Sequence, residues 1–376
     1  MADVEIGRGR AARQGYDLDD VAIVPSRRTR DVDEVSMAWE IDAFRFELPM
    51  MAHPSDATMS PKTAVEVGRL GGLGVLNAEG LWTRYDDPTA VLKEIADIGA
   101  DEPAVPRLQA AYNEPIKPEL IAQRISEIRD LGVTTAVRLS PQHTLTYAST
   151  VLDAGIDLLV IQGTVVSAEH VSTSSDPLNL KTFIADLDVP VVVGGCTNYQ
   201  TALHLMRTGA AGIIIGVGAD HWSSTDRVLG IRVPMASAIA DAASARRDYL
   251  DETGGRYVHV IADGGIVHSG GIAKAIGCGA DAVMLGEPLR VAQGSPGHGN
   301  WWQSVAAHPS LPRGFLSAPI DEPLGTLQQV LLGPADGANG RTNLFGGLKR
   351  AMAKCGYSDV KAFQKVELIC VHQSGG

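Results

Sequence analysis

Along this chain a helix-like stretch repeatedly ends at glycine and passes at once into a short apolar run. The instances are GRLGGLGVLN (68–77), DLGVTTAVRLS (130–140), DAGIDLLVIQG (153–163), RTGAAGIIIGVG (207–218) and GCGADAVMLGE (277–287). A glycine just past a helix end supplies the left-handed cap that turns the chain into its next element. The cores LLVI, GIII and DAVML are apolar without alternation, as suits parallel strands covered on both faces. ELPMMAHP (47–54), VPVVVGGC (189–196) and YVHVIADGGI (257–266) bring the strand count to eight. Helices are predicted over 60–70, 118–130, 142–154, 178–187, 198–208, 234–252 and 269–277, with a last one at about 346–355. Eight such units close as an α/β fold of the TIM-type (β/α)8 barrel class, read as a single domain over 1–376. Two stretches stand outside the repeat: a short insertion, 80–117, and a Gly- and Pro-rich region, 292–345, that reads as a long flap-like loop. Both are βα connections, where such barrels carry function.

The chain has 32 basic and 44 acidic residues among 376, a formal net charge of −12. That balance argues against a dominant basic surface for nucleic acid or anionic membrane. The first twenty residues lack the apolar core of a secretory signal, and no apolar run reaches the length of a membrane span. Cys196, Cys278, Cys355 and Cys370 show no CxxC or metal-type spacing, so they read as reduced thiols and no metal site is expected. A cytoplasmic protein is the expectation.

The chemistry-bearing residues cluster late in the chain. Consecutive glycines after the seventh strand, Gly264 and Gly265, and Gly286 after the eighth let backbone N–H groups approach a phosphate. Asp263, just before them, can accept both hydroxyls of a ribose. The alternative is that these glycines only turn the chain. Cys196 ends the fifth strand, either as a thiol nucleophile or as an inert buried cysteine. Cys278, at a helix end on the opposite face, reads as structural. Arg246 and Arg247 read as a solvated helix surface, and Trp301 and Trp302 either stack on a ligand ring or pack.

YDLDDVAIVPS (16–26), LGGLGVLN (70–77), VGG (193–195), GVGADHWSSTD (216–226), ADGGIVHSGGIAKAIGCGADAVMLGEPL (262–289) and GGLKRAMAKCGYSDVKAFQKV (346–366) resemble the IMP dehydrogenase/GMP reductase family. The likeness is collinear over nearly the whole chain. The paired CBS module that many IMP dehydrogenases insert after the second strand is missing, as in the bacterial subgroup of IMP dehydrogenase-related proteins. The resemblance implies a purine nucleoside monophosphate, IMP or GMP, as ligand and NAD or NADP as cofactor. A loop cysteine would attack C2 of the purine, and a hydride would pass between C2 and the nicotinamide. Phosphate and ribose would be held at Asp263, Gly264, Gly265 and Gly286, with Glu287 and His221 at two further phosphate positions. The cofactor would lie near Gln162, Gly163, Gly216 and Gly218. A homotetramer is implied, with association with an active homologue as a further option.

The catalytic loop departs from that pattern. The family motif is close to GxGPGSxCTTR, and the loop here places Ser223 at the cysteine and Thr225 at the second threonine. A thiol near pKa ~8.5 is partly ionised at neutral pH, whereas a serine hydroxyl needs a positioned base. Ala219 and Asp220 replace small residues that shape the loop, which argues against a monovalent-cation site. Glu287 brings like charge toward a phosphate. Gln162 replaces an acidic cofactor contact, His298 stands where Glu is usual, and the Arg-Tyr pair that activates water is absent. The expectation is a purine nucleotide-binding protein of this family with impaired or absent catalysis. The alternatives are an active oxidoreductase and a protein remodelled for another phosphorylated ligand.

Overall fold

The computed structural model describes residues 3–98, 104–171, 177–220, 222–311, 313, 316–317, 320 and 322–371. Eight parallel strands, each hydrogen-bonded to its sequence neighbours, close into a barrel: β1 (Met50–Ala52), β2 (Leu73–Asn77), β3 (Ala136–Leu139), β4 (Leu158–Gln162), β5 (Val191–Cys196), β6 (Gly212–Ile215), β7 (His259–Asp263) and β8 (Ala282–Leu285). The eighth strand pairs with the first through Val283–Met50, Met284–Met51 and Leu285–Ala52, which completes the ring. The helices expected between strands form: α1 (Pro61–Arg69), α2 (Pro118–Arg129), α3 (Thr144–Asp153), α4 (Leu180–Ala185), α5 (Tyr199–Met206), α6 (Met235–Thr253) and α7 (Ser269–Gly277), with α8 (Leu344–Lys354) after the last strand. Ser60 caps α1 by accepting from the Thr63 amide, and Pro61 sits in the first turn, where no N–H is needed. The glycines that close five helix-to-strand turns, Gly71, Gly132, Gly155, Gly209 and Gly279, all have φ between +75° and +117°. Those are conformations a side chain resists, so the punctuation read from sequence is the device that sets the repeat.

Inside the ring, Met51, Leu73, Val75, Ala136, Leu158, Val160, Val192, Ile214, Ile261, Ala282 and Met284 form one apolar cluster. A hairpin (Trp39–Ile41 with Phe44–Phe46) belongs to the same cluster and closes the amino-terminal mouth. Trp39 stacks on Phe46 with ring centroids 5.4 Å apart and donates its indole N–H to the Leu48 carbonyl at 2.8 Å. The larger cluster lies outside the ring, between strands and helices, and includes Cys196.

Two sequence expectations change, for the 292–345 region and for Arg246, and the alternative left open at Trp301 and Trp302 is decided for packing. The 292–345 region is not an open loop: it carries a helix (Leu327–Leu332) and a 3-10 turn (Ser304–Ala307), and it packs on the 80–117 segment, itself helical over Thr89–Asp97 and Ala104–Ala111. Leu81, Leu92, Ile95, Leu108, Trp301, Trp302 and their neighbours make a satellite core above the barrel. Trp301 and Trp302 are 1% and 0% exposed, so they pack and present no face for stacking on a ligand. The Trp302 indole donates to the Tyr112 hydroxyl at 3.0 Å, which donates to Asp56 at 2.6 Å, and burial pushes that carboxyl up to about 6. Arg246 is not solvated. It is buried against Asp281, whose other oxygen accepts from Tyr257 at 2.6 Å, while Arg247 is exposed as expected. Among the described residues no helix is long and apolar enough to cross a membrane.

Candidate functional site

Side chains along a strand alternate, so two residues beyond the last apolar interior position another side chain points into the ring. Counting from Met51, Val75, Ala136, Val160, Val192, Ile214, Ile261 and Met284 gives His53, Asn77, Arg138, Gln162, Gly194, Gly216, Asp263 and Gly286. The layer above the apolar core is therefore polar on five strands and bare on three.

The polar members bond to one another. Gln162 donates from Nε2 to Asp263 Oδ2 at 2.8 Å, and its carbonyl accepts from Arg138 Nη2 at 2.6 Å and Nε at 3.1 Å. Arg138 also reaches Asn77 Oδ1 at 3.4 Å and lies 3.6 Å from Glu79. Glu79 is held well down, at about 2, because hydrogen bonds from His143 and the Ser140 amide and the Arg138 charge outweigh its burial. Asp263 is the opposite case. Burial, with the neighbouring Asp220 charge, pushes it up to about 8 against the bond from Gln162. His53 Nε2 lies 3.8 Å from Asp263, but burial and the Arg138 charge hold the imidazole at about 3. At neutral pH both partners are uncharged, so the contact is not an ion pair.

Two adjoining cavities open around these groups. A small one, about 90 Å³, is lined by His53, Arg138, Gln162, Asp263, the loop after β6 and the 303–305 turn. Gly163, Gly216, Gly218, Ser223, Thr225 and Gly264 also border it. A larger one, about 840 Å³, shares Gly218, Ala219, Asp220 and Ser223 with it and is bordered by Gly265, His268, Glu287, Arg232, Arg290 and Arg341 and by the carboxylates of Asp17, Asp19, Asp20 and Asp226. Asp220 anchors the wall between them, accepting from the Trp222 amide at 2.9 Å and from Gln303 Nε2 at 2.8 Å. Ser223 Oγ donates to Thr225 Oγ1 at 3.1 Å.

Ten of the twelve expected site residues thus border these cavities. Gly286 lines neither. A Cβ there would lie 2.1 Å from the Trp301 indole, so the space beside it is filled by protein. His221 lies outside the described residues. His298 is exposed and borders neither cavity. Cys196 belongs to the cluster between barrel and helices, and burial pushes its thiol up to about 12. That excludes it as a thiolate nucleophile at the mouth. Cys278 caps the end of α7, away from both cavities. Sequence reasoning missed His53, Arg138, Arg290 and Arg341, and read Asp220 only as a change in the loop's shape. The signal for the first two was present, since ELPMMAHP and TTAVRLS each end an apolar strand on a charged or polar side chain.

Residues 15–314 match the IMP dehydrogenase/GMP reductase domain. The chain belongs to that family. Over 370 residues it is 57% identical to a protein of Mycolicibacterium smegmatis named an uncharacterized oxidoreductase, covering 97% of this chain and 99% of that one. It is similar to an inosine-5'-monophosphate dehydrogenase of Thermoplasma acidophilum, 38% identical over 144 residues, 38% of this chain and 27% of the other. The crystal structure of an IMP dehydrogenase/GMP reductase-like protein from Corynebacterium glutamicum superposes with a TM-score of 0.93 at 53% identity, covering 98% of both chains. The family member described here therefore has the barrel its sequence announces, with the polar layer above at the strand ends.

Proposed function

We propose that this family member binds a purine nucleoside monophosphate, IMP or GMP, across its two cavities and has lost the thiol-dependent redox step. The ribose would rest on Asp263, the base would enter the small cavity, and the phosphate would face Gly265 in the large one. One observation carries the loss of chemistry: no cysteine borders either cavity. Ser223 stands in the loop that the family uses for its nucleophile, with its hydroxyl spent on Thr225. A hydroxyl far above neutral in pKa does not replace a thiolate without a base that takes its proton.

The small cavity also disfavours the nicotinamide cofactor. The 303–305 turn also borders it. Gln162, Gly163, Gly216 and Gly218 are the residues a cofactor would meet there, and Gln162 is already committed to Asp263 and Met284.

The test is calorimetry with GMP and IMP beside nicotinamide absorbance with each nucleotide. Binding without turnover is expected, with turnover emerging in Ser223→Cys. Turnover by the unmodified protein at rates of about 1 per second or more, typical of enzymes, would overturn this reading.

The names of the Mycolicibacterium relative and of the family favour a second reading, a slow oxidoreductase that transfers hydride without a covalent thiol adduct. It predicts turnover that survives Ser223→Ala.

A further inference from the structure

Residues 301–309 are gripped by two other segments, the loop after β1 and the 80–117 insertion. From the first, Ser55 Oγ donates to the Trp302 carbonyl at 2.6 Å. From the second, Gln109 Nε2 donates to the His308 carbonyl at 2.6 Å, and the helix Ala104–Ala111 packs on the turn Ser304–Ala307. Between them runs a polar chain inside an otherwise apolar core. The Trp302 indole donates to Tyr112 at 3.0 Å, Tyr112 donates to Asp56 Oδ2 at 2.6 Å, and the same oxygen accepts from the Leu81 amide at 3.1 Å. Apolar packing among Leu81, Leu108, Ala306 and Trp302 would hold these pieces together without that chain. What a satisfied buried chain adds is a single relative placement of the groups it joins. The placement matters because Gln303 follows Trp302. Gln303 Nε2 donates to Asp220 Oδ2 at 2.8 Å, and Asp220 borders both cavities. Gln303, Ser304 and Val305 border the small one.

We propose that the 80–117 insertion is a clamp on residues 301–309, with Tyr112 as its positioning residue, and that by holding Gln303 on Asp220 it sets the wall shared by the two cavities. The clamp stands on its own geometry, while its effect on a ligand rests on the nucleotide reading above. It also has a direction with pH. Burial pushes the Asp56 carboxyl up to about 6, and the Tyr112 hydroxyl, the Leu81 amide and the Arg84 and Arg138 charges oppose that rise. Burial and Asp56 push Tyr112 well above its ordinary value, so it keeps its proton and stays the donor. The folded Asp56 carboxyl lies above its ordinary 3.8, so its contribution is complete below that value and is lost as pH rises through about 6. The clamp therefore loosens between mildly acid and neutral solution.

Amide hydrogen exchange on the intact protein, corrected for intrinsic rates, tests this beside calorimetry with GMP. Tyr112→Phe keeps the ring in the core and removes the hydroxyl that joins Trp302 to Asp56. It is expected to speed exchange by about tenfold in residues 301–308 and, through Gln303 and Asp220, in the 218–225 loop, and to weaken GMP by about threefold to tenfold. Gln109→Ala, at the edge of the clamp, should act in the same direction by a smaller factor without disturbing the core. In the wild type, protection of residues 301–308 should fall between about pH 5 and about pH 7, and Asp56→Asn should remove that dependence. Exchange in α5 should not change. The inference is overturned if Tyr112→Phe and Gln109→Ala both exchange like the wild type, if α5 loosens equally, or if residues 301–308 loosen while the 218–225 loop does not follow. Coupled loosening in a protein that binds no GMP keeps the clamp and sinks the nucleotide reading. GMP binding indifferent to a loosened clamp does the reverse.

Discussion

The two mouths of the barrel are made by the same strands and have opposite chemistry. At the amino-terminal mouth the hairpin of Trp39, Ile41 and Phe46 extends the interior apolar cluster without a break. Two residues past that cluster, at the carboxyl mouth, the strands present the half-buried His53, Arg138, Gln162 and Asp263, where burial holds the His53 imidazole down at about 3 and pushes the Asp263 carboxyl up to about 8. One end stabilises by removing apolar surface from water. The other keeps polar groups buried where only partners or a ligand can satisfy them, and so carries the cost of function.

The largest effect expected from this contrast is at the plug. Ile41 is fully buried, so Ile41→Asp places an unpaired carboxyl in the core and should destabilise by about 4 kcal/mol or more in denaturant unfolding. A loss below about 1 kcal/mol would mean the hairpin is not part of the core. At the other mouth the sign reverses. The folded Asp263 carboxyl keeps its proton up to about 8, whereas the unfolded chain releases it near 3.8. Its contribution is therefore complete below the unfolded value and is lost as pH rises through the folded one. Asp263→Asn should stabilise by about 1–3 kcal/mol at pH 8 and by little at pH 4, while abolishing GMP binding. Equal unfolding curves at both pH values would break the comparison.

Ligand binding sharpens it further. Ribose hydroxyls donate best to an ionised carboxylate, so GMP binding at neutral pH should expel a proton from Asp263 and tighten by up to about tenfold per pH unit below 8. Calorimetry in buffers of different ionisation enthalpy reads that proton directly, and none released would place the ribose elsewhere. The smallest effect belongs to Ser223. Its bond is to a neighbouring hydroxyl in the same loop, so Ser223→Ala should shift stability by no more than about 0.5 kcal/mol.

The barrel was legible because its signals are local. Apolar runs without alternation mark buried parallel strands, and a glycine closes the turn before five of them, as at Gly155 and Gly279. The loop serine was legible for the same reason, since a missing sulfur is a statement about one position. What escaped depends on contacts between distant segments. Nothing near residue 246 announces Asp281, so Arg246 read as solvent-facing. The 292–345 region read as a flap because Gly and Pro suggest an open loop. Its partner, the helix Ala104–Ala111, lies about two hundred residues earlier in the chain and supplies the surface that buries Trp302.

The indole of Trp301 occupies the hollow that the absent side chain of Gly286 leaves beside β8. Neither position can therefore drift independently. Any larger residue at 286 collides with the ring, and a small residue at 301 opens a void, so either single change should destabilise the fold. A double substitution that exchanges bulk between them should tolerate what each single change does not.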